Sequence, residues 1–331
     1  MKKQQELSEQ VYQVLRRSKK QWTLEGLSDK LDVGVSKIRD AVKKLEDEGK
    51  NVSVRGGVEL LGEVPPSEPT VIDVSKFGFK HFKFGATADN HLGSKYARLD
   101  VLNALFDIWQ EQGVKEVYQC GNMIDGEARF NKMDLLVPPG VNAQVDYFVE
   151  NWPKREGVVT KFVTGDDHEG WYVQREGVNV GWMIEAKAKE VGRKDLIHLG
   201  YMEHDVILKS KEGFSVMRVI HAGGGSSYAT SYAVQKIVES YQGGEKPSIL
   251  LVGHYHKFEY GYPREVHCVQ VGTTEDQTPF MRKRKLQAHV GGCTIEFDLD
   301  PSGIIHNFTV QFHPFYDRGF YSDDRWKYHW K

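Results

Sequence analysis

The sequence predicts an α/β protein that carries a separate, small helical domain at its N-terminus. From about residue 79 onward, strand-like apolar segments alternate with segments of helical periodicity. Residues 1–63 differ, since they show three short helical patterns followed by a hairpin pattern. A proline-rich stretch lies between these parts. We therefore expect a small domain, a stiff linker, a large domain and an aromatic tail, at 1–63, 64–78, 79–312 and 313–331.

The N-terminal segment predicts three helices and two short strands. The helices are expected at 7–17, 23–31 and 35–49, and apolar side chains recur along each at helical spacing. Strands at 52–54 and 58–61 flank Arg55-Gly56-Gly57, which is typical of a hairpin turn. This order of elements resembles a winged helix-turn-helix. The resemblance implies a module that contacts DNA, with RNA as an alternative ligand and a protein partner as another.

Basic side chains are concentrated on the third helix and the turn of this segment. The candidates for contact with a nucleic-acid backbone are Lys37, Arg39, Lys43, Lys44 and Arg55. Residues 1–64 contain 13 Lys and Arg against 11 Asp and Glu, so the local charge excess is small. A merely solvated helix face therefore stays open as the alternative interpretation.

The large domain predicts strands followed by helices, and then a group of later strands. Six strands are expected at 82–88, 114–119, 158–164, 204–209, 215–221 and 248–252. Later strands, expected to complete a second sheet, are placed at 257–260, 265–271, 292–298 and 303–312. Helices are expected at 97–112, 142–151, 176–191 and 227–241.

Composition narrows the class of protein. The formal net charge of −2 excludes a globally basic nucleic-acid binder, so any such binding needs a local basic face. Three widely separated cysteines predict neither a disulfide framework nor a thiolate zinc site. No apolar run has membrane-spanning length, and the first ten residues lack the apolar stretch of a signal peptide. We expect a cytoplasmic protein without a membrane partner.

Five short motifs follow predicted strands, at the edge where open α/β sheets bind their ligands. They are Asp89-Asn90-His91, Gly121–Asp125, Gly165–Glu169, His221 and Gly253–His256. Each alone could be an ordinary turn or a surface residue. Together they bring Asp and His side chains to one edge, and these side chains suit divalent ions such as Mn²⁺, Fe²⁺ or Zn²⁺.

In the same order, these motifs resemble the D-x-H, G-D-x-x-D, G-N-H-[DE], H and G-H-x-H motifs of calcineurin-like metallophosphoesterases. The resemblance covers about residues 80 to 260. It implies a four-layer α-β-β-α sandwich and two divalent metal ions, with Mn²⁺ as the first choice and Fe²⁺, Zn²⁺ or Mg²⁺ as alternatives. Exonucleases that process DNA ends belong to the same superfamily.

The resemblance also implies roles for individual residues. Asp89, His91 and His256 would hold one ion, and Asp167, His221 and His254 would hold the other. His168 would face the phosphate and stabilise the transition state or protonate the leaving group. Glu169 would orient His168.

Two positions depart from the family pattern. The second motif has Asn122 where the family has the Asp that bridges the two ions, and the third has Asp167 where the family has Asn. Asp166 is one extra residue in the third motif. We interpret this as an exchange that conserves charge, in which Asp167 supplies the missing anionic ligand and Asn122 binds through its carbonyl oxygen. The alternative is a site that holds one ion or none.

These observations predict a metal-dependent phosphoesterase, in first place a phosphodiesterase or nuclease that acts on DNA. A phosphatase of proteins or nucleotides with a partner-binding N-terminal module is the alternative, and a non-catalytic DNA-binding regulator is another. The basic run Arg282–Lys285 either guides a nucleic-acid backbone to the metals or is a charged loop. The aromatic tail is expected to pack on the core or against a second subunit, as in a homodimer.

Overall fold

The structure is a computed structural model, and it divides the chain into two compact units, Met1–Glu68 and Pro69–Lys331. It describes residues 6–17, 22–47, 52–53, 59–60, 68–76, 78, 80–127, 134–137, 140–225 and 227–316. Among the described helices, none has both the length and the apolar character needed to cross a membrane.

The N-terminal unit contains three helices and a two-stranded antiparallel sheet. They are α1 (Leu7–Arg17), α2 (Leu24–Leu31), α3 (Val35–Asp47), β1 (Val52–Ser53) and β2 (Glu59–Leu60). The three helices confirm the predicted ones, and the Thr23 hydroxyl caps α2 by accepting a hydrogen bond of 2.9 Å from the Gly26 N–H. The predicted turn at Arg55 lies outside the described residues.

This unit has its own small core, because each helix turns an apolar stripe inward. The buried side chains include Val11, Leu15, Leu27, Ile38, Val42 and Leu45. On α3 they leave Lys37, Arg39 and Lys43 on the exposed side. Packing therefore fixes which face of α3 is free to meet a ligand.

The large unit contains twelve strands and six α-helices within its described residues. The strands are β3 (Thr70–Asp73), β4 (Lys80–Thr87), β5 (Glu116–Cys120), β6 (Val159–Thr164), β7 (Leu196–Tyr201), β8 (Glu203–Lys209), β9 (Phe214–His221), β10 (Ile249–Gly253), β11 (Phe258–Gly261), β12 (His267–Val271), β13 (Gly291–Leu299) and β14 (Ile305–Pro314). The helices are α4 (Leu99–Glu111), α5 (Val141–Asn151), α6 (Gly170–Glu176), α7 (Val180–Glu190), α8 (Thr230–Ser240) and α9 (Pro279–Arg284).

The strands form two six-stranded sheets, which confirms the predicted α/β class. The first sheet has the order β14-β13-β4-β5-β6-β7, and β4 to β7 are parallel. The second sheet has the order β11-β12-β10-β9-β8-β3, and β9, β10 and β12 are parallel. These two names are kept below. Parallel strands align their carboxyl ends, so each sheet presents several loops at one edge.

Three buried clusters define the layers of this unit. Side chains of both sheets interdigitate in one cluster, which includes Phe84, Tyr118, Met217 and Leu251. Helices α4, α5 and α7 cover the outer face of the first sheet through residues such as Trp109. Helix α8 covers the second sheet. The result is the expected α-β-β-α order of layers.

Two predicted boundaries need correction at the start and middle of the large unit. Thr70–Asp73 lies inside the predicted linker at 64–78 but forms β3, which pairs in parallel with β8. Its Ile72 packs against the core between the sheets, so burial outweighs the preceding prolines. The predicted helix at 176–191 corresponds to α7, which begins only at Val180, because Gly177 has a left-handed φ of 69° and ends the separate helix α6.

The later strands and the tail also differ from the prediction. Strands β13 and β14 extend the first sheet rather than the second, since β13 pairs antiparallel with β4. Strand β14 continues to Pro314, within the predicted tail at 313–331, and Phe315 packs against the helix-covered core. The tail from residue 317 onward lies outside the described residues. The sequence prediction missed β7 and α9 entirely.

Candidate metal centre

The five motifs converge at one edge of the large unit. Strands β4, β5 and β6 of the first sheet and β9 and β10 of the second each deliver one motif there. The backbone bends sharply at these strand ends, and six motif residues other than glycine have positive φ. They are Asp89, His91, Asn122, His168, His254 and His256. Such conformations are uncommon for residues with a side chain and concentrate at functional sites.

One group of potential ligand atoms, here the first cluster, comprises Asp89, His91 and His256. Their ligand atoms all lie within 4.8 Å of one another. The His91 Nε2 lies 3.3 Å from the His256 Nε2, and Asp89 Oδ1 lies 3.7 Å from the same His256 nitrogen. Asp89 and His91 are buried, so the cluster is open to solvent only on the His256 side.

The second cluster comprises Asp166, Asp167, His221 and His254, again with ligand atoms within 4.8 Å of one another. Asp167 Oδ1 lies 3.1 Å from His221 Nε2, and Asp167 Oδ2 lies 3.5 Å from His254 Nδ1. The His221 Nδ1 lies 2.8 Å from the Cys120 carbonyl oxygen, to which it donates. That hydrogen bond leaves His221 Nε2 as the ligand atom that faces the cluster.

The donor atoms of both clusters fit a divalent cation. Several buried side-chain oxygen or nitrogen atoms in this region make no hydrogen bond within the described part of the chain, and five of them belong to potential ligands. They are Asp89 Oδ1, Asn122 Oδ1, Asp166 Oδ1, His254 Nδ1 and His256 Nδ1. Buried polar atoms are nearly always satisfied in folded proteins. Unsatisfied carboxylate, amide and imidazole donors at one edge are therefore the chemistry expected of a cation site.

Asn122 lies deep in this region, with its amide oxygen against the end of β6. A Cβ atom on Gly165 would come within 2.4 Å of Asn122 Oδ1 and within 2.9 Å of the His221 ring. Only glycine permits that approach of the first-sheet backbone to both side chains. The second and third motifs are thus fitted to each other around the Asn122 oxygen.

His168 is held by Asp125 rather than by Glu169. The His168 Nδ1 donates to the Asp125 carbonyl oxygen at 2.6 Å and lies 3.5 Å from the Asp125 carboxylate. The Glu169 carboxylate instead accepts hydrogen bonds from the Met123 and Gly165 N–H groups, at 3.2 and 2.9 Å. The prediction that Glu169 orients His168 is therefore corrected: Glu169 ties the second motif to the third.

Burial and neighbouring charges perturb the titration of this edge. Burial raises the pKa of Asp89 to about 7. Burial would also raise the pKa of Asp167, but the hydrogen bond with His221 and the nearby imidazoles hold it below its usual range. For His256, burial and then the charge of His91 lower the pKa well below the ordinary value. These shifts in pKa favour a neutral His256 and an ionised Asp167.

A cleft of about 470 Å³ opens onto both clusters. Its lining also includes aromatic and apolar side chains, those of Tyr96, Trp171, Phe280, Met281 and Leu286. The Trp171 ring is parallel to the His168 ring, with centroids 6.0 Å apart. Phe280, which is 44% exposed, comes from α9, where Thr278 caps the helix and Pro279 is its first residue. The cleft has the size of a small-molecule site.

Three acidic residues at this edge had no predicted role: Asp125, Asp166 and Glu275. Asp125 lies 3.3 Å from His91 Nδ1, and Glu275 Oε2 lies 3.8 Å from His91 Nε2. Asp125 closes the second motif and Asp166 is the extra residue of the third, so both were visible in the sequence. Glu275 follows β12, whose carboxyl end reaches the same edge, and the strand-end rule alone points to it.

The candidate nucleic-acid residues lie in the N-terminal unit. Lys37, Arg39, Lys43 and Lys44 are exposed on α3, and Lys44 forms an ion pair with Glu6. Arg55 lies outside the described residues. Lys37, Arg39 and Lys43, three of the residues predicted to contact a nucleic acid, are thus exposed on this helix.

Comparisons with known proteins give structural similarity only. No family model and no curated protein matches the sequence. An archaeal phosphodiesterase is similar in structure, with 11% identity and a TM-score of 0.36, over 70% of this chain and 100% of that one. A protein of Streptococcus pneumoniae described as a predicted phosphoesterase has 11% identity and a TM-score of 0.33, over 71% of this chain and 90% of that one.

The Vps29 protein of Entamoeba histolytica, solved with zinc, has 10% identity and a TM-score of 0.34. It is matched over 71% of this chain and 100% of its own. Similarity of this degree assigns neither a family nor a reaction, so the assignment of function depends on the chemistry of the site.

Proposed function

We propose that the protein is a metal-dependent phosphoesterase whose substrate is a nucleic-acid phosphodiester, in first place DNA. The observation that carries the proposal is the pair of clusters at one edge. Two sets of Asp and His ligand atoms lie side by side, several of them buried and without a hydrogen bond. Both open onto one cleft. This is the donor set of a binuclear hydrolase rather than of a structural site closed to substrate.

The first cluster would hold one divalent ion through Asp89, His91 and His256. The second would hold another through Asp167, His221 and His254, with the Asn122 oxygen as a neutral donor. When bound, Mn²⁺ or a related ion such as Fe²⁺, Zn²⁺ or Mg²⁺ polarises the phosphoryl group and lowers the pKa of water. Asp167 supplies the second cluster with the negative charge that Asn122 lacks.

His168 would act on the substrate rather than on a metal. Its Nδ1 is occupied by the Asp125 carbonyl, which leaves Nε2 as the ring nitrogen for the cleft. An imidazole N–H there can donate to a phosphoryl oxygen or protonate the leaving oxygen. The Asp125 carboxylate lies 3.3 Å from His91 Nδ1, so one residue contacts the substrate-facing His168 through its carbonyl and the potential ligand His91 through its carboxylate.

Two features support a nucleic-acid substrate over a small phosphate ester. The lining of the cleft offers aromatic rings at Trp171 and Phe280, and nucleobases stack on such rings. Helix α9, which carries Phe280, ends in exposed Arg282, Lys283 and Arg284, and these suit an adjacent phosphate backbone.

The N-terminal unit supports the same substrate class through α3. Its exposed basic residues suit contact with phosphates, and its helices and two-stranded sheet agree in order with a winged helix-turn-helix. In our proposal this unit binds DNA and raises the local concentration of substrate for the large unit.

The decisive experiment is cleavage of labelled single- and double-stranded DNA by the full chain with Mn²⁺. Wild type should cut, and His254→Ala should lose at least about 100-fold in rate because one cluster loses a ligand. His306→Ala, a histidine on β14 outside both clusters, is the matched control and should cut normally.

Hydrolysis of bis-p-nitrophenyl phosphate without any cleavage of DNA would replace the nuclease by a phosphatase or another phosphodiesterase. Absence of turnover on every ester, with ions bound, would favour the non-catalytic regulator.

A further inference from the structure

Glu275 is a buried carboxylate beside the first cluster, from a turn that none of the five motifs contains. Its side chain is almost fully shielded, with the residue 3% exposed. One oxygen, Oε1, accepts a hydrogen bond of 3.0 Å from the Ser94 hydroxyl. The other, Oε2, lies 3.8 Å from His91 Nε2 and 4.0 Å from His256 Nδ1. Glu275 thus adds an anionic oxygen to a cluster with a single carboxylate.

The turn that carries Glu275 is bonded to the backbone of the first motif. The Thr273 hydroxyl donates to the Asp89 carbonyl oxygen at 2.6 Å and accepts from the Glu275 N–H at 3.0 Å. Next to it, the Thr274 hydroxyl accepts a hydrogen bond of 2.8 Å from the Asn90 side chain. These bonds fix Glu275 relative to Asp89, so the carboxylate is placed by the fold and not by chance.

The position of Glu275 beside two imidazoles suits a shared cation. Among the described residues, its ion-pair partners are His91 and His256, both of which are potential ligands themselves. A buried carboxylate persists when it is paired or when it coordinates a metal. The second cluster already has two carboxylates, Asp166 and Asp167, whereas the first has Asp89 alone because Asn122 is neutral.

We propose that Glu275 is a ligand of the ion held by Asp89, His91 and His256, and that it supplies the anionic oxygen missing at Asn122. This inference rests on the proposed metal centre but not on the identity of the substrate. With Glu275 included, each cluster has two carboxylates and two imidazoles. Glu275 would thus serve the first cluster from the turn after β12, as Asp167 would serve the second.

The distances permit Glu275 to share an ion with His91, and they do not place it in a hydrogen bond with His256. Ligand atoms about 2.1 Å from one ion are at most about 4.2 Å apart. The 3.8 Å between Glu275 Oε2 and His91 Nε2 satisfies this limit, as does the 3.3 Å between His91 Nε2 and His256 Nε2. A hydrogen bond that orients His256 would need a separation near 2.8 Å rather than the observed 4.0 Å.

Mn²⁺ titration of the metal-free full-length protein by calorimetry tests the proposal, with bound metal counted after dialysis. The variant Glu275→Gln keeps the size and the Ser94 contact but removes the charge. We expect one equivalent to bind about 10- to 100-fold more weakly and the other to bind as in wild type. The control Glu212→Gln removes an exposed charge on the loop before β9 and should bind both equivalents normally.

A second variant and a spectroscopic measurement separate the loss of a ligand from misfolding of Glu275→Gln. Glu275→Asp keeps the charge on a shorter side chain and should bind Mn²⁺ more tightly than Glu275→Gln. In Co²⁺-loaded protein, the visible absorption bands should change in Glu275→Gln and not in the control.

Unchanged affinity and an unchanged Co²⁺ spectrum in Glu275→Gln would overturn the role of Glu275. Equal binding by the Asp and Gln variants would do so as well. If the wild type binds two ions but does not cut DNA, the proposed substrate is wrong and the inference about Glu275 still stands. A wild type that binds no ion would remove both.

Discussion

The carboxylate of Asp89 accepts a hydrogen bond of 2.8 Å from the His254 N–H through Oδ2, while its Oδ1 makes none among the described residues. The first and fifth motifs, on different sheets, are thereby joined by one oxygen, and the other oxygen faces the first cluster. One carboxylate thus has both a structural and a proposed ligand role, and a substitution can separate the two.

Asp89→Asn should remove the stabilisation contributed by the ion of the first cluster, without destabilising the metal-free protein. The amide oxygen can still accept from His254, and the variant no longer buries a carboxylate. Mn²⁺ at 100 times its dissociation constant should stabilise wild type by about 2.7 kcal/mol. Thermal unfolding with EDTA and with Mn²⁺ measures this difference. An equal Mn²⁺-dependent rise in Tm for the variant would contradict a ligand role for Asp89.

The Asp167 and Asn122 exchange can be tested by reversing it. Asp167→Asn should lower the rate at least about 100-fold and weaken one Mn²⁺ equivalent, because His221 and His254 lose their carboxylate neighbour. The double variant Asn122→Asp with Asp167→Asn restores a carboxylate and should recover part of both losses. Full activity of the single variant would disprove compensation by Asp167.

The aromatic wall of the cleft predicts a selective loss of DNA affinity. Phe280→Ala should raise the KM for DNA by about 5- to 150-fold, since stacking contributes about 1–3 kcal/mol per base. Turnover of bis-p-nitrophenyl phosphate and Mn²⁺ content should change little, because Phe280 lies outside both clusters. The control Phe214→Ala removes another exposed ring, on β9. An unchanged KM for DNA would exclude stacking at Phe280.

The basic face of α3 predicts a salt-dependent contribution to DNA binding. Replacing Lys37, Arg39 and Lys43 together by Ala should reduce the slope of log K against log salt by up to about 3, with a slope near 0.9 per phosphate contact. Fluorescence anisotropy at several salt concentrations measures that slope. The matched variant Lys187→Ala, on α7, should leave it unchanged. Parallel slopes for wild type and the triple variant would remove α3 from the interface.

His198 predicts how stability depends on pH away from the metal centre. Burial lowers the pKa of His198 to about 4, and its Nε2 lies 3.0 Å from the Gly200 carbonyl oxygen. Below pH 6.5 this imidazole is protonated in the unfolded chain but stays neutral in the folded chain. The free energy of unfolding therefore falls as pH drops from about 6.5 to about 4. His198→Gln keeps a donor for Gly200 without titrating.

The variant should therefore lose less stability than wild type between pH 7 and pH 5, by about 1–2 kcal/mol. Urea unfolding at both pH values checks this difference. The same loss in His198→Gln as in wild type would assign the pH dependence to other groups. His306→Gln, an exposed histidine paired with Asp300, serves as the control.

Sequence patterns identified the candidate site well because its residues sit where strands end. The strands before Asp89, Asn122 and His254 are buried at their carboxyl ends, so their ends could be located closely. Glu275 was missed because the turn after β12 has no motif, although the strand preceding it was predicted. Sequence spacing cannot reveal that two hydrogen bonds tie this turn to Asp89 and Asn90.

Elements outside the site were missed for local reasons. β3 follows Pro69 directly, and four residues are too few to show alternation against a proline-rich background. Helix α6 was not predicted, and the helix predicted at 176–191 began before Val180, since Gly177 alone was not enough to indicate a break. Helix α9 carried a usable signal in Thr278-Pro279, a cap followed by proline, but its basic residues suggested a loop instead.

The potential ligands of each cluster come from both sheets. The site therefore spans the packing interface between the two sheets of the large unit. Neither sheet alone can bind an ion in this way, so the site should arise only after strands far apart in the chain have docked. During synthesis Asp89 is translated long before His256 and Glu275, so the first cluster is incomplete until the later strands have been made. Ion binding would then occur late in folding and would stabilise the packing of the two sheets against each other. Without metal, the two sheets would be held together less strongly.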